Sequence, residues 1–424
     1  MEQFEKWSAG ASAGATIRLG VDPRARERAG PLAAWRTSPP GGKARSAKGV
    51  PVTRVIIDAR LAGHSGIGVY LGELLPRVLP HLAPWHPVIL ARGASKADLA
   101  LRLGPDTDMR VWDVSPLGFP NLWSVPPAAG PRDLVWTPHF NVPLLRAGPL
   151  AVTLHDVLPI AAPHLAARGQ SVPVRLWLKA IRARARIVLC VSEFTRREAI
   201  ACGGLDATRL VVTPLGVEGP WRTDAAMPLH QASDSETPRP TIICIALMKR
   251  HKNIARLLQA FDSVKARIPH RMVLVARRTG LRTIDPDVMP WVRALGDRVE
   301  LIDYLPLPEL AMRTRSAEFA ALPSLYEGFG LPALEAMTVG TPVLAARAGA
   351  LPEVCGDAAL YCDPLSVDDI ARGLLSLASD PELRARLSAA GIARSATFSW
   401  DQCASLTVAA LKVELGRLDA NAPR

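Results

Sequence analysis

Residues 317–346 constrain the fold more than any other stretch of the 424-residue chain. The run 317–322 is short, mostly apolar and free of breakers, which suits a strand buried in a parallel sheet. Pro332 falls where a first helical residue would be, and Ala333, Leu334, Ala336 and Met337 favour helix. That helix must end by Gly340, because Thr341-Pro342 cannot continue it. A further apolar strand, 341–346, follows at once. Strand, turn, helix and strand in this order is the unit of a doubly wound α/β domain.

Between strand and helix lies Gly328-Phe329-Gly330, a turn that lets a ligand approach the backbone. The free amides at the helix start, from Phe329, Gly330 and Leu331 on, face the same space and suit an anion or sugar hydroxyls. Glu327 precedes the turn, and Glu335 lies eight positions later, about one turn into the helix. Two readings of these acids are open from their chemistry alone. Either they hold the hydroxyls of a polyhydroxylated, phosphate-bearing ligand, or Glu327 caps the turn and Glu335 is a solvated helix residue.

The string PSLYEGFGLPALEAMTVGTPV resembles the Glu-x7-Glu signature of family 4, the retaining nucleotide-sugar glycosyltransferases of the GT-B fold. The resemblance runs from about residue 52 to about residue 415, with further motifs in order. It implies an α/β chain with two Rossmann-like doubly wound domains facing a cleft. It also implies transfer of a hexose from a nucleotide diphosphate to an acceptor hydroxyl with retention, without a metal or other cofactor.

Order is expected to begin at 52–58, a β-branched run followed by a glycine loop with Gly63, Gly66 and Gly68 and a helix whose pattern Pro76 cuts short. Spacing alone is a weak signal, but this opening resembles the family's, whose loop lies beside donor and acceptor, so Gly66 and Gly68 join the donor-binding set. Further strands are expected at 86–90, 133–136 and 151–154. The last runs into His155-Asp156, at the carboxyl edge where ligands gather in a parallel sheet. A lone His there serves structure as readily as it hydrogen-bonds a hydroxyl. The resemblance implies that His155 touches the transferred sugar and Asp156 supports the loop, and that His139 and Asn141 line the acceptor side.

Residues 171–186 read as a helix with Arg175, Lys179, Arg182, Arg184 and Arg186 around an apolar stripe. A membrane-facing amphipathic helix and a core helix with a solvated basic side fit equally. Ser192 is a helix cap after the strand near 187–191.

We place domain boundaries at 51–218 for the acceptor-side domain, 219–240 for a proline-rich linker, 241–396 for the nucleotide-sugar domain and 397–424 for a helix crossing back to the first domain. In the second domain, Lys249, Arg250 and Lys252 follow a strand and precede the helix opened by Asn253 and Ile254, where cations suit a departing diphosphate. Lys252-Asn253 resembles the family's Lys-Asn. Where many relatives have Gly-Arg this chain has Ala246-Leu247, which leaves Lys249 and Arg250 as the candidate substitutes and the exact diphosphate contacts open. Strands at 272–276 and 299–302 precede the Glu327 stretch. The nucleobase region near 303–305 is weakly specified, and Gly349-Ala350-Leu351-Pro352-Glu353 resembles the family loop after the signature.

The net charge of +12 is uneven, since residues 1–54 carry ten basic against four acidic side chains. Residues 1–50 lack any period and are expected to form a disordered basic extension. The surplus favours an anionic partner, and sparse, uninterleaved aromatics argue for a membrane surface over nucleic acid. No apolar run reaches transmembrane length, and the first residues lack a secretion signal. Six scattered cysteines suit a reduced cytoplasm, with peripheral contact at an anionic inner membrane. Asp285-Pro286-Asp287 reads as turn chemistry rather than a metal site.

The expected donor is GDP-mannose, with UDP-hexose close behind. A lipid-linked or other saccharide acceptor, in exopolysaccharide or lipopolysaccharide assembly, completes the expectation. The catalytic candidates are His155, Lys252 and Glu327. Rival readings are a catalytically weak GT-B scaffold, motivated by Ala246-Leu247, and a sugar-nucleotide epimerase, which would isomerise donor without acceptor.

Overall fold

A computed structural model describes residues 53–63, 66–116, 120–144, 148–166, 169, 171–222, 239–277 and 284–420. These residues fall within one compact unit, Lys43–Arg424. The expected basic extension 1–50 and most of the expected linker, 223–238, lie outside the described residues.

Seven parallel strands form the first sheet: β1 (Val55–Asp58), β2 (Val88–Ala91), β3 (Met109–Val111), β4 (Leu134–Thr137), β5 (Leu150–Leu154), β6 (Ala185–Cys190) and β7 (Leu210–Val212). Six form the second: β8 (Thr241–Leu247), β9 (Arg271–Arg277), β10 (Val299–Ile302), β11 (Phe319–Leu322), β12 (Val343–Ala346) and β13 (Ala359–Cys362). The spatial orders are β3-β2-β1-β4-β5-β6-β7 and β10-β9-β8-β11-β12-β13, and every pairing is parallel. Both orders reverse direction next to the first strand of the lobe, the point where a doubly wound sheet opens a ligand crevice. The α/β architecture of two Rossmann-like lobes is therefore the one expected.

The central strands are apolar on both faces because helices cover both. Val55, Ile57, Leu134 and Trp136 pack toward one face of the first sheet, and Ile56, Val135, Val152 and Leu154 toward the other. Alternation between two cores explains why these strands read as continuous apolar runs.

One expectation about the first helix needs correcting. It does not end at Pro76 but spans Ile67–Leu82, with Pro76 and Pro80 inside it. Leu74, Leu75, Val78 and Leu82 are fully buried along it. Burying four such side chains contributes about 6 to 12 kcal/mol, enough to offset about 3 kcal/mol for each of the two interior prolines.

The final helix, Trp400–Ala420, packs on the first lobe. Trp400 is buried among residues of β1, β4 and the helix Ile67–Leu82. Gly216, just after β7, has room for no side chain, since a Cβ would overlap the backbone of Ser399 and Trp400. At the other end, Asp419 accepts from the Thr53 amide at 3.0 Å and from Trp85 Nε1 at 2.8 Å. Among the described residues, no helix is long and apolar enough to cross a membrane.

Candidate functional site

The site assembles from loops at the carboxyl ends of strands in both lobes. After β8, a single 3-10 turn, Arg250–Lys252, leads to Asn253 in the left-handed conformation at φ 59. Asn253 is buried, and its amide donates to the carbonyls of Pro323 and Pro364 at 3.0 and 2.7 Å. These bonds hold the loop after β8 against the loops after β11 and β13. The Leu325 amide adds another, to the His251 carbonyl at 2.8 Å.

Lys252 is thereby placed beside Glu327. Its Nζ lies 2.6 Å from Oε1 of Glu327, and the same oxygen accepts from Ser324 Oγ at 2.8 Å. Both charged side chains are largely withdrawn from solvent, at 14% and 11% exposure, so their attraction is only weakly screened. From behind, Gly349 packs against the Glu327 backbone, and the Ala350 amide donates to the Glu327 carbonyl at 2.9 Å.

Gly330, at φ 100, caps the helix Leu331–Thr338, and among the described residues no acceptor takes the amides of Phe329, Gly330 and Leu331. Glu335 is half-buried in that helix. Burial alone pushes its carboxyl up to about 7, and among the described residues no donor reaches it. A carboxylate so placed can accept hydrogen bonds from the hydroxyls of an incoming ligand.

Lys249 and Arg250 differ. Lys249 is half-buried, and burial lowers its ammonium's pKa although Asp156 across the cleft acts the other way. Arg250 is exposed. Of the two substitutes for the missing arginine, Lys249 is the one whose charge is felt at the site, since it also influences Asp156.

The first lobe contributes His155 at the end of β5. Its Nε2 lies 3.1 Å from the Pro138 carbonyl, so Nε2 carries the proton and Nδ1 keeps its lone pair. Burial, with a smaller effect from His139, lowers its pKa to about 4, so the ring is neutral at pH 7. Tyr70 meets it edge-on at 4.9 Å between ring centroids. Asp156 caps the next turn, accepting from the Leu158 amide at 3.0 Å.

His139 and Asn141 occupy another environment. Both are buried, and the His139 Nδ1 accepts from the Asn141 amide at 3.1 Å. Nε2 of His139 points to Asp58 at 3.4 Å, and Asp58 is gripped by Arg60 at 2.7 and 2.8 Å. Burial would raise the Asp58 pKa, but Arg60 and His139 together hold it well below the usual carboxylate range. Arg60 also donates to Asn121, whose own amide donates to the Asn141 carbonyl, and stacks 3.3 Å above the Trp112 ring. His139 and the backbone of Asn141 thus belong to a buried cluster inside the lobe, in which Nε2 of His139 has no hydrogen-bond partner among the described residues. Gly66 and Gly68 open the helix after β1, and among the described residues no hydrogen bond joins them to the Glu327 turn.

Four participants were not apparent as site residues in the sequence. Ser324 left no signal beyond being a serine three positions before Glu327. Glu353 and the pair Ser192 and Thr195 were visible only as a loop acid and a local cap. In the structure Ser192, Thr195 and Glu353 bond across the cleft. Ser192 Oγ and Thr195 Oγ1 donate to the Gly328 carbonyl at 2.6 and 3.0 Å, while Glu353 accepts from the amides of Glu193 and Phe194 at 2.7 and 2.8 Å.

Two comparisons bear on what this site belongs to. Residues 228–394 match the family described as glycosyl transferases group 1, and residues 116–218 match glycosyltransferase family 4. The O-antigen chain mannosyltransferase B of Escherichia coli is 32% identical over 287 residues, 65% of this chain and 73% of that protein. This chain belongs to the family 4 glycosyltransferases. A second relative of this glycosyltransferase is the MMP alpha-(1->4)-mannosyltransferase of Mycolicibacterium hassiacum, 31% identical over 64% of this chain and 67% of its own. Among solved structures, the sucrose-phosphate synthase of Thermosynechococcus elongatus superposes with a TM-score of 0.66 at 20% identity, over 86% of this chain and 99% of its own. Anabaena HepE, solved with UDP and glucose, superposes with the same TM-score of 0.66 at 17% identity, over 85% and 99%. The glycosyltransferase thus has the two-lobed GT-B fold.

Proposed function

We propose that this glycosyltransferase moves a hexosyl group, mannosyl first, from a nucleotide diphosphate sugar to a saccharide hydroxyl with retention of configuration and without a metal. The observation that carries the reading is the Lys252 and Glu327 pair, set beside the open helix amides and faced by a neutral His155. As the diphosphate departs, negative charge grows on its oxygens, and the Lys252 ammonium is fixed where it offsets that charge. Glu327 and the amides of Phe329 and Gly330 hold sugar hydroxyls, and Glu335 holds the ribose. The acceptor attacks from the leaving-group side, and its proton passes to a donor phosphate oxygen. His155, kept neutral, accepts from a sugar hydroxyl through Nδ1 without adding charge opposite the diphosphate. Both named relatives are mannosyltransferases, which supports mannose and, for the first, an acceptor of the O-antigen type.

The acceptor we propose is lipid-linked and presented at an anionic inner membrane. The helix Ser171–Arg184 supports this surface: Val174, Trp177, Leu178 and Ile181 are buried, while Val172, Leu176, Arg175, Lys179 and Arg182 face outward. Basic groups beside exposed apolar ones suit anionic headgroups.

The test is a donor panel of GDP-mannose, UDP-glucose and UDP-galactose with mannose-terminated acceptors, the product anomer being read by NMR. We expect GDP release with an α-linked mannosyl product. An inverted anomer would overturn retention. Turnover of UDP-hexoses alone would overturn the choice of mannose, and epimerised donor without acceptor would revive the epimerase.

A further inference from the structure

Gly328 is a glycine for an unusual reason. Its φ lies outside the left-handed region, so the backbone does not require it. A Cβ there would instead overlap the carbonyl oxygen of His155, in the opposite lobe. The missing side chain lets the Glu327 turn seat against the first lobe.

Once seated, the turn is held from both sides by one helix start. Ser192 and Thr195 are completely buried, so their hydroxyl protons need acceptors within the protein. Both donate to the Gly328 carbonyl, directly after Glu327. Ser192 Oγ at the same time accepts from the Thr195 amide at 3.0 Å and so caps its own helix, Glu193–Ala201. The first two amides of that helix, of Glu193 and Phe194, are satisfied from the other lobe, by the two oxygens of Glu353. Glu353 lies in the short helix Leu351–Cys355, whose preceding residue Ala350 bonds the Glu327 carbonyl. Arg394 steadies that helix through the carbonyls of Glu353 and Val354 at 2.7 and 2.9 Å.

We infer that Thr195, Ser192 and Glu353 form an interlobe latch that positions the Glu327 turn for reaction when the cleft is closed. None of the three needs to touch the reacting atoms; they are positioning residues. With the lobes apart, Gly328 loses its two donors and Glu353 its two amides together, so the turn is fully held only in the closed state. Coupling closure to the Glu327 geometry restricts turnover to a cleft from which water has been excluded. The inference rests on the proposed donor site at Glu327.

The test uses the full chain with donor and acceptor dyes at Lys96→Cys and Arg372→Cys, two exposed positions on opposite lobes, and Cys202→Ser to remove the exposed native thiol. Into this background go Thr195→Val and Glu353→Gln, which leave the Ser192 cap in place. We expect the interlobe distance distribution to shift toward longer values, with and without nucleotide. In the unlabelled chain, turnover is expected to fall about tenfold to a hundredfold while the donor KM moves by less than about threefold. An unchanged melting temperature shows that the variants fold. An unchanged distance distribution, or equal losses in KM and kcat, overturns the latch. If no nucleotide binds even the parent protein, the donor-site reading fails, and the distances in free protein still decide whether a latch exists.

Discussion

The Lys252 ammonium lies 2.6 Å from the Glu327 carboxylate, joining two residues from different loops of the second lobe. In the proposed donor site a bound diphosphate shares or replaces this ion pair, with the cation already in place. We expect Lys252→Ala to lower kcat by about a hundredfold to a thousandfold, as loss of a preorganised charge-stabilising group does. Substitution of the exposed Arg250 should change kcat by less than about threefold, since screening weakens exposed charges. Steady-state kinetics on the two variants checks the contrast, and equal losses would remove Lys252 from the chemistry.

The role proposed for Glu335 at the ribose predicts a pH dependence of nucleotide binding. Ribose hydroxyls donate to the carboxylate but not equally to the acid, and the free protein's carboxyl titrates near 7. We expect nucleotide affinity to strengthen as pH rises from 6 to 8 and the dependence to vanish in Glu335→Gln. Stability runs the other way. The folded pKa of about 7 lies above the usual 4.5, so the folded state binds the extra proton between those values and stability falls as pH rises through that window. Glu335→Gln should therefore melt higher than the parent at pH 8 and level with it near pH 4. Calorimetric titration and melting curves at these pH values read both effects.

His155 is expected to stay neutral through pH 5, with its proton on Nε2 facing the Pro138 carbonyl. Its folded pKa of about 4 lies below the ordinary 6.5, so the unfolded chain takes up the proton first and stability is lost as pH falls from 6.5 to 4. Long-range proton–nitrogen NMR of the imidazoles distinguishes the tautomers. An imidazolium at pH 6, or a proton on Nδ1, would contradict the assigned role.

Trp400 anchors the returning helix with 1% exposure, among residues of β1 and β4. We expect Trp400→Ala to cost about 3 to 5 kcal/mol, the range for removing a large buried aromatic. Gly216→Ala should also be severe, because the overlapping atoms are backbone and cannot turn aside. Chemical denaturation of both variants provides the measurement.

The central strands and the helix Leu331–Thr338 were legible in the sequence because both obey local rules: apolar runs free of breakers, and a glycine turn with proline at the helix start. The edge strands β3, β7 and β13 were not. Residues such as Arg110 and Val111 are exposed there, so little apolar pattern marks them. Pro76 misled because its local cost was visible and the burial of Leu74, Leu75 and Val78 was not. At the site, residue types suggested ligands, but distances needed the fold: Lys252 and Glu327 meet across 75 positions, and Ser192 and Gly328 across 136. That His139 lies buried beside Asp58 and Arg60 likewise needed the fold, since 81 positions separate it from Asp58.

The most direct measurement is the thermal stabilisation of the protein by GDP, UDP and ADP, run beside Glu335→Ala and Lys252→Ala. A nucleotide at a hundred times its Kd adds about 2.7 kcal/mol of stability, enough to read as a clear rise in melting temperature. We expect one nucleotide, GDP first, to stabilise the parent and to lose most of that effect in both variants. No shift with any nucleotide at millimolar concentration, or an undiminished shift in both variants, would contradict a donor site built on Lys252, Glu327 and Glu335.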